Sequence, residues 1–144
     1  MIWTFVLIAI ALGALYGYKE YTRTNKKLNN VKPDFEITAD ALIKEFERAD
    51  SAAYEKYDDK VIEITGLLKD FSSENFTILL GDSSKLSVVK CELDTSFRND
   101  ATIPPVGTTV NIKGHFVGFQ KDEVMGLGTD VNLNRCVINT KRKD

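Results

Sequence analysis

The chain is poor in the residues that hold metals, build disulfide frameworks or interrupt strands: it has one histidine, His115, two cysteines, Cys91 and Cys136, and three prolines. A closed structural zinc site takes four ligands, so a single histidine with two distant cysteines is too small a donor set, and no metal is expected. Two cysteines allow at most one bridge, which excludes a disulfide scaffold. Also missing are Gly-x-Ser-x-Gly, a phosphate-binding glycine loop, a dinucleotide fingerprint and Cys-x-x-Cys. Carboxylates are plentiful, but no spacing singles out a general acid and base. No catalytic residue and no cofactor is therefore assigned, and the chain reads as non-catalytic, with an uncharacterised enzyme as the third alternative.

Charge is missing too, at one end. No charged side chain precedes Lys19, and the run from Ile2 is apolar, with Trp3, Tyr16, Tyr18 and Tyr21 placed as interfacial anchors. Residues 1–21 read as a transmembrane helix. A cleavable signal would carry a basic stretch ahead of the apolar run, and that is absent. Lys19, Arg23, Lys26, Lys27 and Lys32 face Glu20 alone in residues 1–32, a formal +4, which leaves −6 for the rest of a chain whose total is −2. The positive-inside rule then puts the C-terminal domain in the cytoplasm, with the opposite side as the alternative. Residues 22–37 read as a polar tether ending near Pro33.

From about residue 38 to residue 57 the pattern is helical. Thr38 or Asp40 can cap the start, and Leu42, Phe46, Ala49, Ala53 and Tyr57 fall on one face, while Glu45, Glu47, Arg48, Asp50, Glu55 and Lys56 take the solvated remainder. The stretch 60–71 then alternates as a strand, Ile62, Ile64 and Leu68 against Glu63, Thr65 and Lys69, with Gly66 at a bend. A near-copy follows in Val110-Asn-Ile-Lys-Gly114-His-Phe116. Further strands are read at 76–80, 86–93 and 130–138, the near-copy itself extending over 108–119, and a bulge near Asn134 reconciles inward Val131 and Leu133 with inward Cys136 and Ile138. Two bent strands suggest a small closed or nearly closed barrel.

These residues carry a resemblance. Ala41-Leu42, Phe46, Ala53 and Tyr57, then Val61-Ile-Glu-Ile-Thr-Gly66, Val89-Lys-Cys91, Gly107-Thr-Thr-Val-Asn-Ile-Lys-Gly114 and Val131-Asn-Leu-Asn-Arg-Cys136-Val-Ile138 resemble the tRNA_anti-like family over residues 38–138. The resemblance implies a bacterial oligonucleotide/oligosaccharide-binding (OB) barrel, often exported or membrane-tethered, with no catalytic residue to carry over. The expected fold is mainly β with α: a five-stranded OB barrel over residues 38–140 preceded by an amphipathic helix, plus the transmembrane helix, with a basic tail at 141–144. The resemblance and the apolar helix together imply a single-pass protein of a bacterial inner membrane.

Function is left with alternatives. The first is a binding module for a protein or a small polar ligand, with Lys69, Phe71, Phe76, Lys90, Lys113, His115 and Phe119 as the candidate ligand face. The second is single-stranded nucleic acid, with Phe71, Phe76, Phe116 or Phe119 stacking bases and Lys69, Lys85, Lys90, Lys113 and Lys121 meeting phosphates. The −6 domain disfavours it, since Asp70, Glu74, Asp82, Glu92, Asp122 and Glu123 dilute those lysines. In the barrel implied by the resemblance, Cys91 and Cys136 fall on neighbouring strands, facing inward, either as buried thiols or as a disulfide.

Overall fold

Without charge before Lys19, the N-terminal segment winds into one helix, α1 (Ile2–Tyr21), and none of its stretch Ile2–Lys19 is buried against the rest of the chain. By length and composition it can cross a membrane. The structure, a computed structural model, describes residues 1–21, 28–98 and 102–139. The basic tail at 141–144 lies outside the described residues.

The folded part starts earlier than the alternation alone suggests. Leu28 is buried in a 3₁₀ turn at Leu28–Asn30, and β1 (Phe35–Thr38) runs parallel to the first long strand, with Phe35 opposite Ile62 and Ile37 opposite Ile64. A tether over 22–37 is thus too long, because its second half is part of the domain. The backbone of Asp34 donates to the Val61 carbonyl at 2.8 Å and its carboxylate accepts from the Val61 N–H at 2.9 Å, which fixes the entry to the strand pair.

Thr38 caps the next helix through its hydroxyl, 3.3 Å from the Ala41 N–H. The single helix expected from 38 to 57 is two, α2 (Ala39–Arg48) and α3 (Asp50–Tyr57), broken at Ala49 with φ −152° and ψ 76°. Ala49 is exposed, whereas Leu42, Ile43, Phe46, Ala53 and Tyr57 are buried. The break turns the second helix around a curved wall: α2 packs on β1 and on the barrel strands β2, β4 and β6, and α3 on β5.

The barrel strands are β2 (Val61–Ser72), β3 (Thr77–Leu80), β4 (Val88–Leu93), β5 (Thr109–Asp122) and β6 (Gly128–Ile138). They run β2-β3-β4-β6-β5 and close by pairing β5 back onto β2, so the wall has five strands and β1 is an extra edge on β2. β2 changes partners along its length. Val61 to Leu67 pair with β5, and Leu68 to Ser72 with β3 across a register shift. The β6 bulge falls at Arg135, which has φ +49°, and shifts the register between Lys113 opposite Val137 and His115 opposite Asn134. That extra residue returns Cys136 to the interior after Val131 and Leu133.

Gly66 and Gly114 both stand where space is short, and neither has a positive φ. A Cβ on Gly66 would lie 2.8 Å from the Ala39 Cβ, and one on Gly114 2.6 Å from the Cys136 Sγ and 3.1 Å from Leu133. Gly66 lets the start of α2 touch the strand, and Gly114 lets the interior close over β6.

Candidate ligand-binding face

On β4, Val89, Cys91 and Leu93 point into the core, so Lys90 and Glu92 point out. Thr77 is opposite Glu92 on β3, and Asn132 is opposite Lys90 on β6. Together with Val117 and Asn134 these side chains line a shallow cleft of about 290 Å³ on the outer wall. The second and third barrel strands form the face on which OB barrels take oligonucleotides and oligosaccharides. Here they are β3 and β4.

The chemistry of the cleft is polar and nearly neutral. Lys90 Nζ lies 2.7 Å from Asp130 Oδ2, so its charge is matched within the wall, and Glu92 is exposed beside it. Asn132, Asn134 and Thr77 supply amide and hydroxyl groups, and the Asn134 Oδ1, itself out of reach of solvent, has no hydrogen-bond partner. Among the described residues no three His, Cys, Asp or Glu side chains converge in a way that could hold a metal.

Of the residues expected to form a ligand face, only Lys90 lies at its centre. Lys113 is 6 % exposed and its Nζ donates to the Val31 carbonyl at 2.9 Å, because the segment after Leu28 lies over this part of β5. It belongs to the join between that segment and the wall. His115 is the cross-strand neighbour of Asn134, but its Nε2 lies 2.8 Å from Asp59 Oδ1. Lys69 sits at the β2 register shift, and its Nζ donates to the Lys85 carbonyl.

The aromatic rings are likewise turned away from the face. Phe116 is buried. Phe119 packs on Phe46 at 5.0 Å between ring centroids and on Tyr54 at 6.3 Å. Phe71, opposite buried Ile78, meets Phe76 edge-on at 6.3 Å, and the Arg98 guanidinium covers the Phe76 ring at 4.7 Å. Phe76, at φ +48°, takes the chain round the β2–β3 turn while its ring helps close that end of the core. Strand aromatics and strand lysines can point either way, and the alternation around Phe71 is upset by the shift after Leu68. Asn132 and Asn134 alternate with inward Val131 and Leu133, and that alternation is the sequence signal for their outward amides.

Cys91 and Cys136 are both buried, free thiols on the adjacent strands β4 and β6. The register puts Cys91 opposite Leu133 and Leu93 opposite Cys136, so the cysteines are diagonal neighbours. Both thiols are free and pack in the core as small apolar groups.

Burial, and then a hydrogen bond with Cys91, push the Cys136 thiol well above its ordinary pKa. A group with a raised folded pKa contributes stability that is fully present below its unfolded value and is lost as pH rises past it. Stability should therefore begin to fall above about pH 8.5, the ordinary thiol range, before Tyr57, whose pKa burial also raises, adds its loss above about 10. Urea unfolding between pH 7 and 9.5 measures the slope. Cys136→Ala should lower the overall stability yet flatten that slope, and an unchanged slope would assign it to other groups.

A comparison of the sequence with curated proteins returns no match. Among solved structures, one from Leishmania major Friedlin assigned as an aspartyl-tRNA synthetase aligns at 9 % identity with a TM-score of 0.42, covering 87 % of this chain and 25 % of that one. The chain thus spans about a quarter of that protein's length. The family model for tRNA_anti-like proteins matches residues 1–127, running from α1 through both helices and into the β5–β6 turn. A match over most of the chain, on a closed five-stranded barrel with its leading helices, makes this protein a member of the tRNA_anti-like family.

Proposed function

We propose that this protein is a membrane-anchored, non-catalytic binding module whose barrel takes a protein segment or a small polar ligand on the outer face of β3, β4 and β6. The observation that carries this reading is the character of that face: Lys90 is matched by Asp130, and Thr77, Glu92, Asn132 and Asn134 offer neutral or acidic hydrogen-bonding groups. A polar ligand of low charge is recognised by such groups through hydrogen bonds, with Val117 and Leu133 as the apolar part of the lining. The apolar length of α1 supports the anchor.

Single-stranded nucleic acid is the second reading, favoured by the use OB barrels make of this face. A stacking platform and a run of unmatched cations would support it, and Phe71, Phe76, Phe116 and Phe119 are committed to the core or its ends. Full-length protein in detergent micelles separates the two readings. Backbone amide NMR with a panel of short peptides and small polyols should move Thr77, Lys90, Glu92 and Asn132, and Asn132→Ala should weaken the effect. A twelve-residue oligouridine should bind no tighter than about 10⁻⁴ M at physiological salt. Tight oligouridine binding that shifts this face would replace the first reading with the second.

A further inference from the structure

Outside the β3–β4 face, the most conspicuous exposed apolar surface of the barrel is the tip of the β5–β6 hairpin. Val124 is 94 % exposed, Met125 77 % and Leu127 53 %. Three large apolar side chains on a five-residue turn are not the outward remainder of an amphipathic strand. The tip is held in shape: the Asp122 Oδ1 accepts from the Val124 N–H at 3.0 Å and the Met125 N–H at 2.8 Å, and Gly126 and Gly128 take positive φ of 66° and 89°. Its base is fixed as well. Ser87 Oγ accepts from the Thr129 N–H at 3.0 Å and donates to Glu47 at 2.8 Å, and Lys121 lies 3.8 Å from Asp50 on α3 and 3.5 Å from Glu123.

Beside the apolar tip is a hollow of about 550 Å³ lined by Lys121, Asp122, Glu123, Leu127 and Asp130. Lys121 already faces Asp50 and Glu123, and Asp130 is matched by Lys90 from the next strand, so the acidic excess of the rim rests on Asp122 and Glu123. Lipid surfaces that carry charge are anionic, so an acidic rim works against insertion of this tip into a bilayer. The same rim suits a protein surface that is basic around an apolar depression.

We propose that the β5–β6 hairpin tip is a docking knuckle for a protein partner: Val124, Met125 and Leu127 enter an apolar pocket, and a lysine or arginine of the partner enters the hollow by Asp122 and Glu123. Methionine at the apex suits this role because its unbranched side chain adapts to the pocket it meets. The tip comes pre-ordered by Asp122, so less side-chain and loop freedom is lost on docking. The apolar tip lies outside the polar cleft, although Lys90 of the cleft reaches the rim of the hollow through Asp130, and the inference does not rest on what occupies that cleft.

The experiment places the photoreactive residue p-benzoylphenylalanine at Met125 of the full chain in its native membrane. The expected result is an adduct with one other protein. That protein, once identified and purified, should bind the full chain in micelles, and the V124S/M125S/L127S variant should bind it about tenfold or more weakly. Glu123→Lys should weaken binding and flatten its dependence on salt, while thermal unfolding of both variants stays cooperative. Adducts with lipid alone, with a second copy of this chain alone, or no more adduct than the same probe gives at Glu55 would each overturn the proposal. So would a partner whose affinity is indifferent to the triple substitution.

Discussion

Replacing Phe46 by alanine should cost about 3–5 kcal/mol, the range for truncating a buried aromatic side chain in a core. The ring is fully buried, and its centroid lies 5.0 Å from that of Phe119, 5.6 Å from Phe116 and 6.0 Å from Tyr57. It thus joins α2 to β5 and to the end of α3 at one point. The loss combines the removed apolar contact with a cavity that a barrel wall on one side and two helices on the other cannot collapse to fill. Urea unfolding of the full chain in micelles provides the number. Tyr54→Ala, at a ring that is 39 % exposed and touches the same Phe116 and Phe119, should cost clearly less. Equal losses at the two positions would mean that α2 and α3 do not share the burial described above.

The second large effect is expected at Gly114. Alanine there places a Cβ 2.6 Å from the Cys136 Sγ and 3.1 Å from both Cβ and Cδ2 of Leu133, in a part of the core with no exit to solvent. Overpacking of this kind costs about 1–3 kcal/mol and occasionally more. Because the nearest atom is a single sulfur, the clash has a specific remedy. Cys136→Ala in the same chain removes that sulfur, so the double variant should be more stable than the sum of the two single losses implies, by about 1 kcal/mol. Strict additivity would place the strain in Leu133 or in the β5 backbone. Gly66→Ala is a useful contrast, since its Cβ would meet Ala39 at 2.8 Å on α2, and a helix can move outward more easily than a barrel wall can expand.

The barrel was legible in the sequence because its strands obey simple periods. Ile62, Ile64 and Leu68, and Val110, Ile112 and Phe116, alternate as inward residues should, and all are buried. The mismatch between Leu133 and Cys136 announced a bulge, found one residue beyond Asn134. What escaped depends on contacts between distant segments. Phe35-Glu-Ile-Thr38 is too short to show a period and follows a proline, so nothing local marks it as a strand; the parallel edge of β2 does. Ala49 is an excellent helix residue by itself, and the helix breaks there only because α3 has a second wall to cover. The candidate face suffered most. A lysine at an outward strand position is read as solvated, and Lys113 is covered by a segment more than eighty residues away in sequence.

That covering segment also sets how far the barrel can travel. Since Leu28, Val31 and the strand Phe35–Thr38 are fastened to the wall, only six residues separate the end of α1 from the folded part. Seven residue steps reach at most about 25 Å when fully extended. With α1 held in a bilayer, the barrel is on a leash shorter than its own helix, and it searches a thin layer next to the surface rather than a volume. A partner in the same membrane then meets it at a high effective concentration without any added contact, whereas a freely diffusing one gains nothing from the anchor. Lengthening the leash with a Gly-Ser insertion after Lys27 would dilute the first kind of partner and leave the second unaffected.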